Sequence, residues 1–246
     1  MNPTLSILHT NDLHGRLRPE QVERLRAKRS ALGSGGLLLD AGDAISSGNV
    51  TFRPAGEPIL DAMSAAGYDA MAIGNREFHV SQLGFRAKLS RARFPALCAN
   101  LRPRTSGIDA PVHSHVRFTL VDGIRVAVFG VTVPMVTERM RVQRLSAYLF
   151  EDPVATAQRL AAELRPECDV LVCLSHVGDA VDTRIAESAP GIDLIVGGHS
   201  HTTLPEGRSV NGVLIVQTGS HAHHLGVVQI EIAEGTRRLS ANLQEL

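Results

Sequence analysis

The sequence has few aromatic residues, little cysteine and no net charge. Its 246 residues include no tryptophan, two tyrosines and three cysteines, and 25 basic residues balance 25 acidic ones. Because the charges cancel, no overall field draws the chain to nucleic acid or to a membrane surface. We therefore expect neither of these partners, and an anionic ligand would have to be attracted by a local site.

The chain also lacks long apolar runs and an export signal. No run approaches the roughly 18 to 20 apolar residues that a transmembrane helix needs. Residues 1–4 lead directly into an apolar segment, without the charged region, apolar core and cleavage site of a signal peptide. The cysteines, Cys98, Cys168 and Cys173, have an odd count and no zinc-type spacing, which predicts buried free thiols. Together these features predict a cytoplasmic protein.

The pattern of apolar residues predicts an α/β protein. Helices are predicted over residues 19–32, 58–66, 80–91, 153–164 and 180–188, and strands over 5–8, 37–39, 69–73, 96–99, 170–174, 192–196, 213–217, 225–232 and 237–243. Alternating strands and helices predict parallel pairing. Residues 116–131, which turn at Asp122-Gly123, predict an antiparallel hairpin.

Two segments carry no such pattern. Residues 101–113 have the composition of a polar loop, and residues 134–150 have no clear period. No linker or repeat interrupts the chain, and its length suits one large α/β domain. We therefore expect a single domain over residues 1–246.

Side chains that can bind metal follow five of the predicted strands. They are Asp12, His14, Asp43, Asn75, His176, His199 and His201. Functional residues collect at the carboxyl ends of parallel strands, so we expect these side chains to meet. Asp12 and His14 flank one residue, and in an extended segment both would point to the same side.

The donor set consists of oxygen and imidazole groups without a thiolate. This set is typical of a site for Mn, Fe, Zn, Co or Ni and less typical of a structural zinc cage. Six or seven ligands are too many for one tetrahedral ion, so we predict two divalent metal ions that share one carboxylate. Such a pair binds two oxygens of a phosphoryl group and provides a bridging hydroxide for in-line attack on phosphorus. The residues thus predict a dinuclear hydrolase of phosphate esters.

Five short motifs contain these candidate ligands. They are Asn11-Asp12-Leu13-His14-Gly15, Asp40-Ala41-Gly42-Asp43, Gly74-Asn75-Arg76-Glu77-Phe78, Ser175-His176 and Gly198-His199-Ser200-His201. The motifs resemble those of the calcineurin-like metallophosphoesterases, and among them the catalytic domain of the 5′-nucleotidases. The resemblance implies a four-layer αββα sandwich of two mixed β-sheets flanked by helices. It assigns one metal to Asp12, His14, Asp43 and His201. It assigns the other to Asp43, which would bridge the two ions, and to Asn75, His176 and His199.

The chain departs from the family within one motif. The family has Gly-Asn-His-Glu-Phe-Asp where this sequence has Gly74-Asn75-Arg76-Glu77-Phe78-His79. The resemblance gives Asn75 and Arg76 catalytic positions. Arg76 can stabilise transition-state charge with its guanidinium, but its pKa is too high for it to donate a proton at neutral pH. We expect Arg76 to be an electrostatic stabiliser; the alternative is that it faces solvent in a degenerate site.

The second departure from the family concerns how the part of the substrate beyond the phosphate is recognised. Extracellular and periplasmic 5′-nucleotidases have a C-terminal domain that stacks the base between aromatic rings, and we expect this chain to end with the catalytic domain. Phe52, Phe78 and Tyr148 could offer a stacking face, but core or rim packing is the favoured interpretation. The cluster of His221, His223 and His224 is interpreted as an exposed turn and not as an accessory site.

Three functional hypotheses follow from these residues. The first is hydrolysis of small phosphomonoesters such as nucleoside 5′-monophosphates. The second is a phosphodiesterase acting on cyclic nucleotides or related diesters, since a missing proton donor matters less when the leaving group is good. The third is a metal- or phosphate-binding protein without turnover, which the complete ligand set disfavours.

Overall fold

The computed structural model describes residues 3–233 and 235–246. Met1 and Asn2, which belong to the predicted N-terminus without a signal, lie outside the described residues, and the single domain over residues 1–246 stays a prediction. The strands are β1 Thr4–Thr10, β2 Gly36–Asp40, β3 Ala70–Ala72, β4 Ala96–Leu97, β5 Leu101–Pro103, β6 His115–Thr119, β7 Arg125–Thr132, β8 Tyr148–Phe150, β9 Val170–His176, β10 Leu194–Gly197, β11 Arg208–Val210, β12 Val213–Val216, β13 His224–Ala233 and β14 Thr236–Glu245. The α-helices are α1 Pro19–Leu32, α2 Pro58–Ala66, α3 Gln82–Leu89, α4 Pro153–Leu164 and α5 Asp179–Ser188.

Twelve of the described strands form two mixed six-stranded sheets, and β5 and β8 form a separate pair. The first has the order β14-β13-β1-β2-β3-β4, in which β1 to β4 are parallel and β13 is antiparallel to both of its neighbours. The second has the order β11-β12-β10-β9-β7-β6, in which the four central strands are parallel and the two edge strands are antiparallel. Helices α1, α2 and α3 connect the parallel strands of the first sheet, as parallel pairing requires.

The apolar side chains divide into three layers of core. Between the sheets, Leu37 and Leu39 of β2 share one cluster with Val128 of β7 and Val172 of β9. Leu38, which points to the other face of β2, belongs to the cluster under α1, α2 and α3, and a third cluster lies under α4 and α5. A strand that is buried on both faces needs a continuous apolar run, which explains the triple leucine. The order helix, sheet, sheet, helix confirms the predicted αββα sandwich.

Most predicted elements are present, and the errors concern short strands. Helices α1, α2 and α4 begin at a proline and have the predicted bounds. The hairpin of β6 and β7 is confirmed, as are the three buried free cysteines. The assignment of residues 101–113 to a loop is wrong at its start, because β5 pairs with β8 from the unassigned segment 134–150. None of the helices in the described ranges is both long enough and apolar enough to cross a bilayer.

Candidate metal centre

The candidate ligands lie where strands of both sheets end. Asp12 and His14 follow β1, Asp43 follows β2 and Asn75 follows β3. From the second sheet, His176 is the last residue of β9, and His199 and His201 follow β10. Because the two sheets are stacked, their carboxyl ends form one edge of the sandwich, and the predicted residues meet there.

Tight left-handed turns carry several of these residues. The φ angles are 51° at Asp12, 50° at His14, 53° at Asp43, 73° at His199 and 54° at His201. The prediction that Asp12 and His14 lie in an extended segment is therefore wrong, because β1 ends at Thr10. This backbone is costly for residues with a side chain and is typical of functional sites. Backbone hydrogen bonds fix it, since the N–H of Asp12 donates to the carbonyl of Gly42 (2.9 Å) and that of His14 to Asp43 (3.0 Å).

One group of possible ligands consists of Asp12, His14 and His201. Oδ1 of Asp12 lies 3.2 Å from Nε2 of His201 and 3.7 Å from Nε2 of His14. The two imidazole Nε2 atoms are 3.0 Å apart. Burial and the nearby Arg76 cation lower the pKa of His14 to about 4, so its ring is neutral and free to bind a metal at neutral pH.

A second group consists of Asp12, Asp43 and His176. Oδ1 of Asp43 lies 3.5 Å from Nε2 of His176. Burial alone would lower the pKa of His176, but the nearby carboxylates of Asp43, Asp12 and Glu77 together outweigh it and raise this pKa to about 9. A metal that binds here must therefore displace a proton. Asp12 is common to both groups in the structure, whereas bridging by Asp43 stays a prediction.

Asn75 and His199 adjoin the second group. Nδ1 of His199 donates to Oδ1 of Asn75 at 3.1 Å, and the His199 ring lies 5.2 Å from that of His176. The backbone N–H of His199 also donates to Oδ2 of Asp12 at 2.9 Å. Both side chains therefore adjoin the group to which the family resemblance assigns them.

Unpartnered buried atoms mark where a metal fits. Oδ1 of Asp12 and Nε2 of His176 are buried and have no hydrogen-bond partner among the described residues. Buried polar atoms are normally satisfied, and carboxylate oxygen and imidazole nitrogen are ligands of divalent transition metals. The side chains present thus fit metal ions, although they do not identify the element.

The fold and this set of side chains match a known family. A sequence model of the family described as calcineurin-like phosphoesterase matches residues 5–203, which is most of the chain. The protein belongs to this family. Membership agrees with the resemblance of the five motifs and with the αββα sandwich.

The relatives of this calcineurin-like phosphoesterase include longer proteins. The uncharacterized metallophosphoesterase YunD of Bacillus subtilis is 30% identical over 98% of this chain and 53% of that protein. The 5′-nucleotidase of Vibrio vulnificus is 30% identical over 96% of this chain and 50% of that protein. The crystal structure of the 5′-nucleotidase precursor of Thermus thermophilus has a TM-score of 0.79 and 26% identity, and covers 98% of this chain and 55% of that chain. This chain thus spans about half the length of these relatives.

Two buried polar side chains hold the ligand loops of this phosphoesterase. Asn11 donates to Oδ2 of Asp12 (2.9 Å) and to the carbonyl of Gly219 (2.7 Å), and its Oδ1 accepts from the N–H of Thr218 (2.8 Å). Glu77 accepts three backbone N–H bonds, from Asp43 (3.0 Å), Ile45 (3.1 Å) and Gly74 (2.7 Å). Outer contacts of this kind set ligand orientation. Both residues lie in the motifs, although spacing alone does not indicate these roles.

Lys88 is a third support, and the sequence gives no sign of it. This α3 residue is fully buried, and its ammonium donates to the carbonyls of Gly48 (2.8 Å), Arg76 (2.6 Å) and Phe78 (3.0 Å). Three hydrogen bonds satisfy all donors of the ammonium. Lys88 thereby ties the loop after β2 to the segment that carries Arg76.

Arg76 lies beside the ligands and does not point away from them. Its Nε is 3.5 Å from Oδ2 of Asp43, its Nη1 donates to the carbonyl of Ser46 (2.9 Å), and its side chain is 36% exposed. His79, at the other departure from the family motif, turns toward α3 instead. Its Nδ1 is 2.9 Å from the hydroxyl of Ser81, the N-cap of that helix. The two substituted positions therefore do not form a pair.

The packing predicted for the remaining aromatic residues is confirmed, whereas the prediction for the histidine cluster is wrong in part. Phe78 and Tyr148 are buried in the core, as favoured. Phe52 is 48% exposed, and its ring lies 6.5 Å from that of His79 at the rim. His221 lies in a turn, as interpreted, but the expectation that it is exposed is wrong, because it is half-buried and its ring lies 5.1 Å from the ring of His14. His223 is exposed, as expected.

Proposed function

We propose that this protein is a dinuclear metal-dependent phosphatase that hydrolyses small phosphomonoesters, such as nucleoside 5′-monophosphates. The observation that carries the proposal is that the two ligand groups share the buried Asp12 carboxylate, whose Oδ1 has no hydrogen-bond partner among the described residues. Two adjacent metal positions are what in-line phosphoryl hydrolysis uses. Family membership and relatives named 5′-nucleotidase support the same reaction class.

The ligands would divide between the two ions as the family motifs imply. Asp12, His14 and His201 would hold one ion, Asn75, His176 and His199 the other, and Asp43 would bridge them. When bound, the two cations would lower the pKa of a water molecule and neutralise phosphoryl charge. Mn, Zn, Fe, Co and Ni all suit this donor set.

Other side chains of the protein would act on the substrate directly. The Arg76 guanidinium, held by Ser46 and facing Asp43, would present a fixed positive fork to phosphoryl oxygens. Asn75 would orient the same group through its amide. Because a guanidinium is not a proton donor at neutral pH, the leaving group would depart with help from water or without a proton donor.

A panel of esters tests this proposal. The protein is stripped with a chelator, reloaded with Mn, Co, Zn or Mg, and assayed on nucleoside 5′-monophosphates, p-nitrophenyl phosphate, bis-p-nitrophenyl phosphate and a cyclic nucleotide. The proposal predicts metal-dependent turnover with monoesters preferred over diesters. A preference for diesters would establish the phosphodiesterase alternative, and no turnover with any metal would establish a binding protein.

A further inference from the structure

Among the described residues outside the seven predicted ligands, His221 is the one whose ring packs against two of those ligands. Its ring centroid lies 5.1 Å from that of His14 and 6.1 Å from that of His201. Both neighbours belong to the group formed with Asp12. His221 itself is not a member of either ligand group among the described residues. The side chain is therefore beside the metal positions without being placed to bind a metal.

The backbone at this position is strained and firmly held. His221 and Ala222 have φ angles of 61° and 55°, two consecutive left-handed residues that are not glycine. The N–H of His221 donates to the carbonyl of Asp12 at 2.8 Å, and the amide of Gln21 donates to the carbonyl of Ala222 at 2.9 Å. Strain that the surroundings enforce in this way is typical of residues with a functional role.

The contacts of the ring leave one nitrogen free. Nδ1 lies 2.9 Å from the hydroxyl of Ser220. When that hydroxyl donates, the neutral ring carries its proton on Nε2. Nε2 has no hydrogen-bond partner within the described parts of the chain. In that tautomer, the unpaired Nε2–H beside the candidate metal centre can donate to an anion.

The free side of the ring is open to ligands. His221 lines a cavity of about 640 Å³ whose other walls include Gly15 and Arg16, directly after His14. The Arg16 side chain is exposed and forms no ion pair among the described residues. The walls also include Arg18 and Glu245, and a small polar ligand can reach the ring from this side.

We propose that His221 is a substrate-binding residue, and that its Nε2–H donates a hydrogen bond to an oxygen of the phosphate ester held at the metal centre. This inference rests on the proposed function. It adds a contact from the loop between β12 and β13, a segment distant in sequence from Arg76. Together with Arg76 and Asn75, His221 would orient the phosphoryl group through protein contacts as well as through the metals.

Calorimetric binding of inorganic phosphate to the Mn-loaded protein tests the proposal, with kcat/KM for p-nitrophenyl phosphate measured in parallel. His221→Phe keeps the ring contact and removes the donor, whereas His221→Gln keeps a donor. His223→Phe is the matched control, because His223 is exposed and its ring lies 6.5 Å beyond that of His221. Bound manganese per chain and the melting temperature are measured for each variant.

We expect His221→Phe to weaken phosphate binding by about 10- to 100-fold, the usual effect of losing a hydrogen bond to a charged group. His221→Gln should recover most of the loss, and His223→Phe should behave as the wild type. If His221→Phe does not fold, His221→Ala replaces it with the same expectation. Unchanged phosphate affinity in the donor-free variant, or a loss of manganese that accounts for the effect, would overturn the proposal. Phosphate binding that depends on His221 without turnover of any ester would overturn the proposed function alone.

Discussion

Replacing Glu77 with glutamine tests how the two ligand loops are held together. Oε2 of Glu77 accepts from the N–H groups of Asp43 and Gly74, and Oε1 accepts from that of Ile45. A glutamine has one acceptor oxygen, so in its better orientation it keeps two of the three bonds and turns an NH₂ toward the buried N–H of Ile45. A lost bond to a charged acceptor costs about 1.5 to 3 kcal/mol, and an unsatisfied buried donor adds to that cost. We therefore expect the free energy of unfolding to fall by about 3 kcal/mol.

Urea denaturation of the metal-free protein measures this change. The matched control is Glu163→Gln on the exposed face of α4, where Glu163 forms a surface ion pair with Arg159 at 3.7 Å; it should change stability by less than about 0.5 kcal/mol. Because Glu77 positions Asp43, metal affinity should also fall by about 10- to 100-fold. A destabilisation below about 1 kcal/mol together with unchanged metal affinity would refute this reasoning.

Three further predictions concern single side chains. Arg76→His restores a proton donor, so the ratio of kcat/KM for p-nitrophenyl phosphate to that for an alkyl phosphate should fall by at least about tenfold; an unchanged ratio contradicts the role given to Arg76. Lys88→Met leaves three carbonyls without their donor and should lower the free energy of unfolding by about 3 to 5 kcal/mol in urea melts; a loss under about 1 kcal/mol contradicts the account. Burial raises the pKa of Asp182 to about 8, so the folded carboxyl stays protonated while the unfolded one ionises above pH about 4. Wild-type stability should then fall as the pH rises from 5 to 8, and Asp182→Asn should fall less; parallel pH profiles would show this to be wrong.

The parts of the fold that could be predicted are those with a strong local signal. Pro19, Pro58 and Pro153 begin helices because proline suits the first helical turn, and Leu37 to Leu39 form a run that suits a doubly buried strand. Strands β5, β8 and β11 have three residues each. Runs of that length have no measurable period, and their pairing depends on residues far away in sequence.

In the candidate site, too, features with a local sequence signal could be predicted and features that depend on distant residues could not. Motif spacing indicates which side chains arrive at the edge of the sheets, because each follows a strand. It does not indicate the left-handed turns at Asp12 and His14, which make the prediction of an extended segment there wrong. Nor does it indicate Lys88 or His221, whose contacts with Arg76 and His14 join segments distant in the chain. Such roles arise from tertiary packing alone.

The central claim is that two metal ions act together at this centre. Its most direct test is a titration of Mn²⁺ into chelated protein, with hydrolysis of p-nitrophenyl phosphate measured at each ratio of metal to chain. A dinuclear centre predicts no turnover without metal, a rise that is complete at two ions per chain, and loss of activity in Asp43→Asn. Full activity in the chelated protein, or saturation at one ion per chain, would contradict it.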